Sequence, residues 1–135
     1  MSKTTIALAV GVAALAMTGS AFAGKSSSSL SLVVLSSGTS LATATVQPSY
    51  GGQITFDVST TETDHPQVNV RCYQDGAFVY DGWQGFYPSY YKDPIFTLSS
   101  GYWTGGAADC TARLLYFDRQ GRDRTLASTT FHVAA

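Results

Sequence analysis

Two histidines, eight aspartates, one glutamate and two cysteines are the groups best suited to move protons or hold metals in these 135 residues. His65 follows Asp64 in a polar stretch, and His132 falls on the outward side of the last strand-like run. Nucleophilic hydrolysis needs a serine or cysteine, a base within hydrogen-bond reach and a third group that orients the base. Serines are abundant, but none stands in a G-x-S-x-G elbow. Nothing marks two of the aspartates as the carboxylate pair of a glycosidase. A zinc ion at Asp64 and His65 lacks a clear third ligand. Asp118 and Asp123 offer oxygens to Ca²⁺, which takes about six to eight of them. Arg119, Arg122 and Arg124 share that tip, however, and would pair with the acids instead. The titratable groups therefore read as a solvated surface. No enzyme, catalytic residue, metal or cofactor is expected.

Aromatic side chains are the more unusual resource. Phe78, Tyr80, Trp83, Phe86, Tyr87, Tyr90 and Tyr91 fall within 14 positions, interleaved with Gly, Gln, Pro, Ser and Asp. Alternate rings of a strand must face the core, which accounts for about half of them. The stretch Trp83–Tyr91 is too rich in turn formers to bury every ring, and Trp and Tyr give stiff contact area with a polar edge. Trp83, Tyr87, Tyr90 and Tyr91 are the expected surface aromatics and candidate binding residues. A loop folded back over an edge of the domain is the competing reading of the same residues. Nucleic acid is a poor ligand for them, because the net charge is −1.

The N-terminus states a destination. One lysine (Lys3), an apolar run Ile6–Met17 and the small-x-small ending Ala21-Phe22-Ala23 form a secretory signal. The run is shorter than the ~20 residues that span a bilayer. Cleavage after Ala23 removes 23 of 135 residues and leaves 112, with no membrane span. Loss of Lys3 takes the net charge from −1 to −2. Residues 24–29, Gly-Lys-Ser-Ser-Ser-Ser, read as a flexible lead-in, and 30–135 as one domain. The expected location is secreted, or associated with the cell envelope from outside. Cys72 and Cys110, 38 positions apart, form an even count in an oxidising compartment and should pair. Neither lies in a C-x-x-C motif, so the bridge is structural.

The elements that must carry these groups are strands. Leu30–Leu35 is a short apolar run, Leu41–Val46 alternates, and Gln53–Ser59 alternates with Ile54, Phe56 and Val58 inward and Thr55 and Asp57 toward water. Val68, Val70 and Cys72 share one face of the next strand. Asp75-Gly76 signals a tight hairpin, so Ala77–Asp81 should return beside it. Ile95–Leu98, Ala108–Phe117 (expected to be the longest) and Thr125–Val133 complete about eight strands. Gly101–Gly106 reads as a loop, and Asp118–Arg124 as a charged hairpin tip. No segment holds a helical period. The class is all-β, a two-sheet antiparallel sandwich.

Three stretches carry a resemblance: Val68–Gly76 around the first cysteine, Gly105–Ala112 around the second, and the closing Phe131–Val133. Together they look like small secreted immunoglobulin-like proteins of actinobacteria. That resemblance implies an immunoglobulin-like sandwich outside the cell. The tyrosine that antibody domains place two positions before the second cysteine is replaced by Ala108. The strand of Cys72 turns directly into its hairpin partner, so the bridge should join neighbouring strands of one sheet. The expected function is binding, or a structural role, toward an unknown protein or glycan at the cell surface. A carbohydrate-binding module and a secreted enzyme inhibitor are the alternatives.

Overall fold

A computed structural model describes residues 27–36, 39–41 and 47–135. The expected signal segment, residues 24–26 of the lead-in and the alternation after Leu41 lie outside the described residues. The elements are β1 (Ser28–Ser36), β2 (Thr39–Leu41), β3 (Gln53–Thr60), β4 (Gln67–Gln74), β5 (Ala77–Gly85), β6 (Phe96–Thr97), β7 (Ala108–Phe117) and β8 (Asp123–Val133). Among the described residues there is no helix, and so none long and apolar enough to cross a membrane.

The strands form two antiparallel sheets, ordered β2-β1-β3-β6 and β5-β4-β7-β8. Inward faces follow the period of two: Ile54 and Phe56 from β3, Val68, Val70 and Cys72 from β4, Ala108, Cys110, Ala112 and Leu114 from β7. Phe56 is the hub of the core, meeting Phe96 edge-on at 5.7 Å, Phe131 at 6.3 Å and Phe86 at 6.4 Å. Such pairs stabilise beyond the area they bury. Cys72 and Cys110 are bonded, buried, and directly opposite each other on β4 and β7. The bridge thus joins neighbouring strands of one sheet, as the hairpin argument required.

The β4–β5 turn is made by Asp75 and Gly76, with φ of 48° and 82°. Positive φ at both central residues is the demand of a tight hairpin, and Asp-Gly meets it at small cost.

Several boundaries differ from the sequence reading. β1 begins at Ser28, not Leu30, because Ser28 and Ser29 pair with Thr60 and Ser59, and the Ser28 and Thr60 hydroxyls are 2.8 Å apart. β5 runs to Gly85 rather than Asp81, which puts Trp83 on a strand and not in a loop. β8 starts at Asp123 and, with 11 residues, exceeds β7 with 10. Thr55 is buried, although its parity points outward. The loop after β5 folds over it, and its hydroxyl donates to the Pro94 carbonyl at 2.6 Å.

Trp103 is the largest departure. The Gly101–Gly106 loop carries it inward until 1% of its surface is exposed, and its indole N–H donates to the Gly106 carbonyl at 3.0 Å. Tyr50 and Tyr80 meet it edge-on at 5.2 and 6.1 Å. It closes the end of the sandwich where the chain after Pro48 runs parallel to the C-terminus. There the Tyr50 N–H donates to the Ala134 carbonyl, and the Ala134 N–H to the Pro48 carbonyl, both at 2.8 Å. Ser28, Thr60, Pro66, Gly85 and Phe117 lie at the opposite end.

Candidate functional site

The seven rings between 78 and 91 divide by environment. Tyr80 and Phe86 are core, Tyr87 is half-buried, and Phe78, Trp83, Tyr90 and Tyr91 are exposed. The four candidate residues do not form one patch. Trp83 stands on the outer face of the second sheet and stacks on Phe117 with ring centroids 6.2 Å apart and planes 26° from parallel. Tyr91 projects into solvent, 90% exposed, with the Lys92 ammonium 6.0 Å from its ring centre.

Tyr87 and Tyr90 come together, with centroids 5.1 Å apart. A turn holds them: the Tyr90 N–H donates to the Tyr87 carbonyl at 2.9 Å. His65 meets the Tyr87 ring edge-on at 5.2 Å, so the loop after β3 touches the loop after β5. The Phe86 N–H donates to the Pro66 carbonyl at 2.9 Å and extends the β4–β5 pairing by one step. Gly85 makes room for Tyr87, because a Cβ there would lie 2.9 Å from the ring.

Between these loops and the end of β3 runs a groove of about 400 Å³. Tyr87, Tyr90, Phe86 and three prolines (Pro66, Pro88, Pro94) give it apolar surface. Asp57 and Asp93 supply carboxylates, and Ser59, Thr60 and Thr63 supply hydroxyls. Among the described lining residues there is no Lys, Arg or His. The exposed lining is more polar than apolar, so the groove suits a ligand that brings polar groups of its own alongside a surface for the rings. Sequence reasoning singled out Tyr87 and Tyr90 but missed Asp57 and Asp93. Asp57 looked like an ordinary outward strand residue, and only the loop folding over β3 reveals its neighbour across the groove.

The remaining polar groups organise structure. Asp118 accepts from the backbone N–H groups of Gln120 and Arg122, both at 2.9 Å, and from the Arg124 side chain at 3.0 Å. The Arg122 backbone N–H, above all, holds its carboxyl below the usual range, with burial working against it and Arg124 and Gln120 working with it. On the outer face of the second sheet, Asn69 is buried and donates to the Asp81 carboxylate at 2.6 Å, while Arg71 reaches the same carboxylate at 3.5 Å. Burial, chiefly, pushes the Tyr80 phenol up, and the adjacent Asp81 adds to this. His132 pairs with Asp109 at 2.7 Å on the exposed end of the same face. Asp64 and His65 sit in the loop after β3, where the imidazole faces Tyr87. Among the described residues no three His, Cys, Asp or Glu side chains gather as a metal site would need.

No protein-family model, curated protein or solved structure matches the chain.

Proposed function

We propose that this chain is an exported immunoglobulin-like domain that acts by binding a partner outside the cell, without catalysis. The groove lined by Tyr87, Tyr90, Asp57 and Asp93 is the observation that carries the binding role. The strand order supports the immunoglobulin likeness: β5-β4-β7-β8 matches the order C′-C-F-G and β1-β3-β6 the order A-B-E, while β2 adds an edge strand outside A that the A-B-E-D pattern lacks. In variable domains the B–C and F–G loops at one end form the binding surface. Their counterparts here are the β3–β4 loop, which touches the groove, and the Asp118–Arg122 tip at the same end. The tripartite N-terminus supports export.

Capture from the producing cell's envelope and medium tests the reading. Tyr90 is half exposed and contributes little to the core, so Tyr90→Ala should leave the melting temperature nearly unchanged. The same change should weaken partner capture by about 30-fold, the equivalent of ~2 kcal/mol at an interface centre. Equal capture by wild type and by the Tyr87→Ala, Tyr90→Ala pair removes the groove from the function.

A carbohydrate-binding module is a second reading, and the stacked Trp83–Phe117 pair favours it, since flat exposed rings are what sugars stack on. Glycan binding abolished by Trp83→Ala but indifferent to Tyr90→Ala selects this alternative. The export component has its own measurement. N-terminal sequencing of secreted protein should begin at Gly24, and retention of residues 1–23 contradicts it.

A further inference from the structure

Asp57, Val58, Ser59 and Thr60 all line the groove. Successive side chains of a strand point to opposite faces of the sheet. Four in a row therefore border one space only where that space runs along the strand's edge. β1 occupies the other edge of β3 through Thr60. On the groove side β6 pairs with Gln53 and Ile54 alone. Among the described residues no strand pairs with Asp57–Thr60 on that side. In an antiparallel strand alternate residues turn both N–H and C=O the same way. Two of these four residues thus direct a donor and an acceptor into the groove.

The facing wall does not meet that demand. Pro88 and Pro94 lack the N–H a pairing strand needs, and the Pro94 carbonyl is taken by Thr55. The wall offers rings instead, Tyr87 and Tyr90. The lining itself carries Asp57 and Asp93 and no basic residue, while Lys92, next to Asp93, holds its ammonium at the Tyr91 ring and His65 packs on the edge of Tyr87. A cationic side chain would meet carboxylates and the negative faces of aromatic rings together.

We propose that the groove takes an extended, cationic peptide segment as an added strand on β3, its Lys or Arg side chains reaching Asp57 and Asp93 along Tyr87 and Tyr90. This rests on the binding role proposed above and gives that role a partner chemistry. An open strand edge matches a peptide backbone at the strand repeat, whereas sugar hydroxyls have no such spacing to satisfy. A second copy of this chain fits poorly. Edge-to-edge pairing would bring the same carboxylates from both copies together, and like charges across a ladder are destabilising. Four strand residues span roughly 13 Å, so the recognised segment is short.

The test uses the exported, oxidised protein and three hexapeptides: alternating Lys-Val, alternating Glu-Val, and the Lys-Val peptide with its backbone nitrogens methylated. Amide chemical shifts are followed by NMR. The Lys-Val peptide should produce saturable shifts centred on Asp57–Thr60 and on Phe86–Asp93, with a Kd of about 1 mM or tighter. The Glu-Val and methylated peptides should bind at least tenfold more weakly, as should the Lys-Val peptide to Asp57→Asn or Asp93→Asn. Both carboxylates are exposed, so these variants retain the fold. Absence of saturable shifts with the Lys-Val peptide overturns the proposal. So does equal binding of the methylated peptide, which excludes strand addition, or of the Glu-Val peptide, which excludes the charge match. Shifts at the same residues from an oligosaccharide such as chitohexaose, without response to the Lys-Val peptide, would reject the peptide and keep the groove. Partner capture sensitive to Tyr90→Ala preserves the binding role even when all three peptides fail.

Discussion

Replacing both Cys72 and Cys110 with alanine should lower the unfolding free energy by about 2–4 kcal/mol without dissolving either sheet. The bridge closes a segment of 38 residues, for which the chain-entropy model gives ~4 kcal/mol of restriction on the unfolded state. Native pairing of β4 with β7 survives the change, since seven residue pairs from Gln67–Leu115 to Tyr73–Asp109 hold their register through backbone groups. The inward faces of Val68, Val70, Ala112 and Leu114 also remain. Urea unfolding followed by circular dichroism would show the midpoint falling by roughly 1–2 M, at the ~1–3 kcal/mol/M slope usual for small domains. The native far-ultraviolet spectrum should stay the same. A midpoint unchanged by the double substitution would remove the stabilising role of the bridge.

Trp103→Ala should be more damaging, at about 3–5 kcal/mol, enough to unfold much of a domain whose total stability is of order 5–15 kcal/mol. The substitution deletes the largest fully buried side chain and leaves a void between Tyr50 and Tyr80. It also leaves the Gly106 carbonyl without its indole donor. Trp103→Phe refills part of the volume but not the hydrogen bond, and should cost about 1–3 kcal/mol. The chain has two tryptophans, and they differ in environment: Trp103 is buried, and Trp83 is 40% exposed. Trp83→Phe therefore leaves a single buried reporter, whose blue-shifted emission should move red in one step with unfolding. Loss of less than about 1 kcal/mol in Trp103→Ala would mean that the end of the sandwich can collapse around the gap.

Local periodicity made most of the sandwich readable. Ile54 and Phe56, the trio Val68, Val70 and Cys72, and the Ala108–Leu114 alternation all face inward as their parity dictates. The Asp75-Gly76 turn was legible because few dipeptides tolerate two positive φ angles in succession. Trp103 was illegible because a glycine-flanked tryptophan has no period, and its burial follows from Tyr50, 53 positions away, and Tyr80. The end of β5 was obscured for a related reason. Gly82 and Gly85 look like turn formers, yet Gly82 lies flat beneath Tyr80 and Phe96, where a Cβ would come within 2.9 Å of either ring.

The candidate site was half visible. Composition marked Tyr87 and Tyr90 as rings with nowhere obvious to hide. It could not pair Asp57 with Asp93, 36 positions on, or reveal that β6 stops after covering two residues of β3. Both are consequences of how a loop crosses an edge. Trp83 illustrates the converse: its exposure was anticipated, and its place on a strand beside Phe117 was not.

The placement of the chain's described ends has a bearing on orientation. Ser28 pairs with Thr60, a residue of the groove, whereas Ala134 is bonded to Pro48 and Tyr50 at the far end of the sandwich. A surface, carrier or affinity tag joined beyond Ala134 leaves the groove facing outward, about a domain's length from the attachment. Joined ahead of Ser28, the same support stands beside the groove and competes with whatever approaches it. Attachment beyond Ala134 therefore obstructs the groove less than attachment ahead of Ser28.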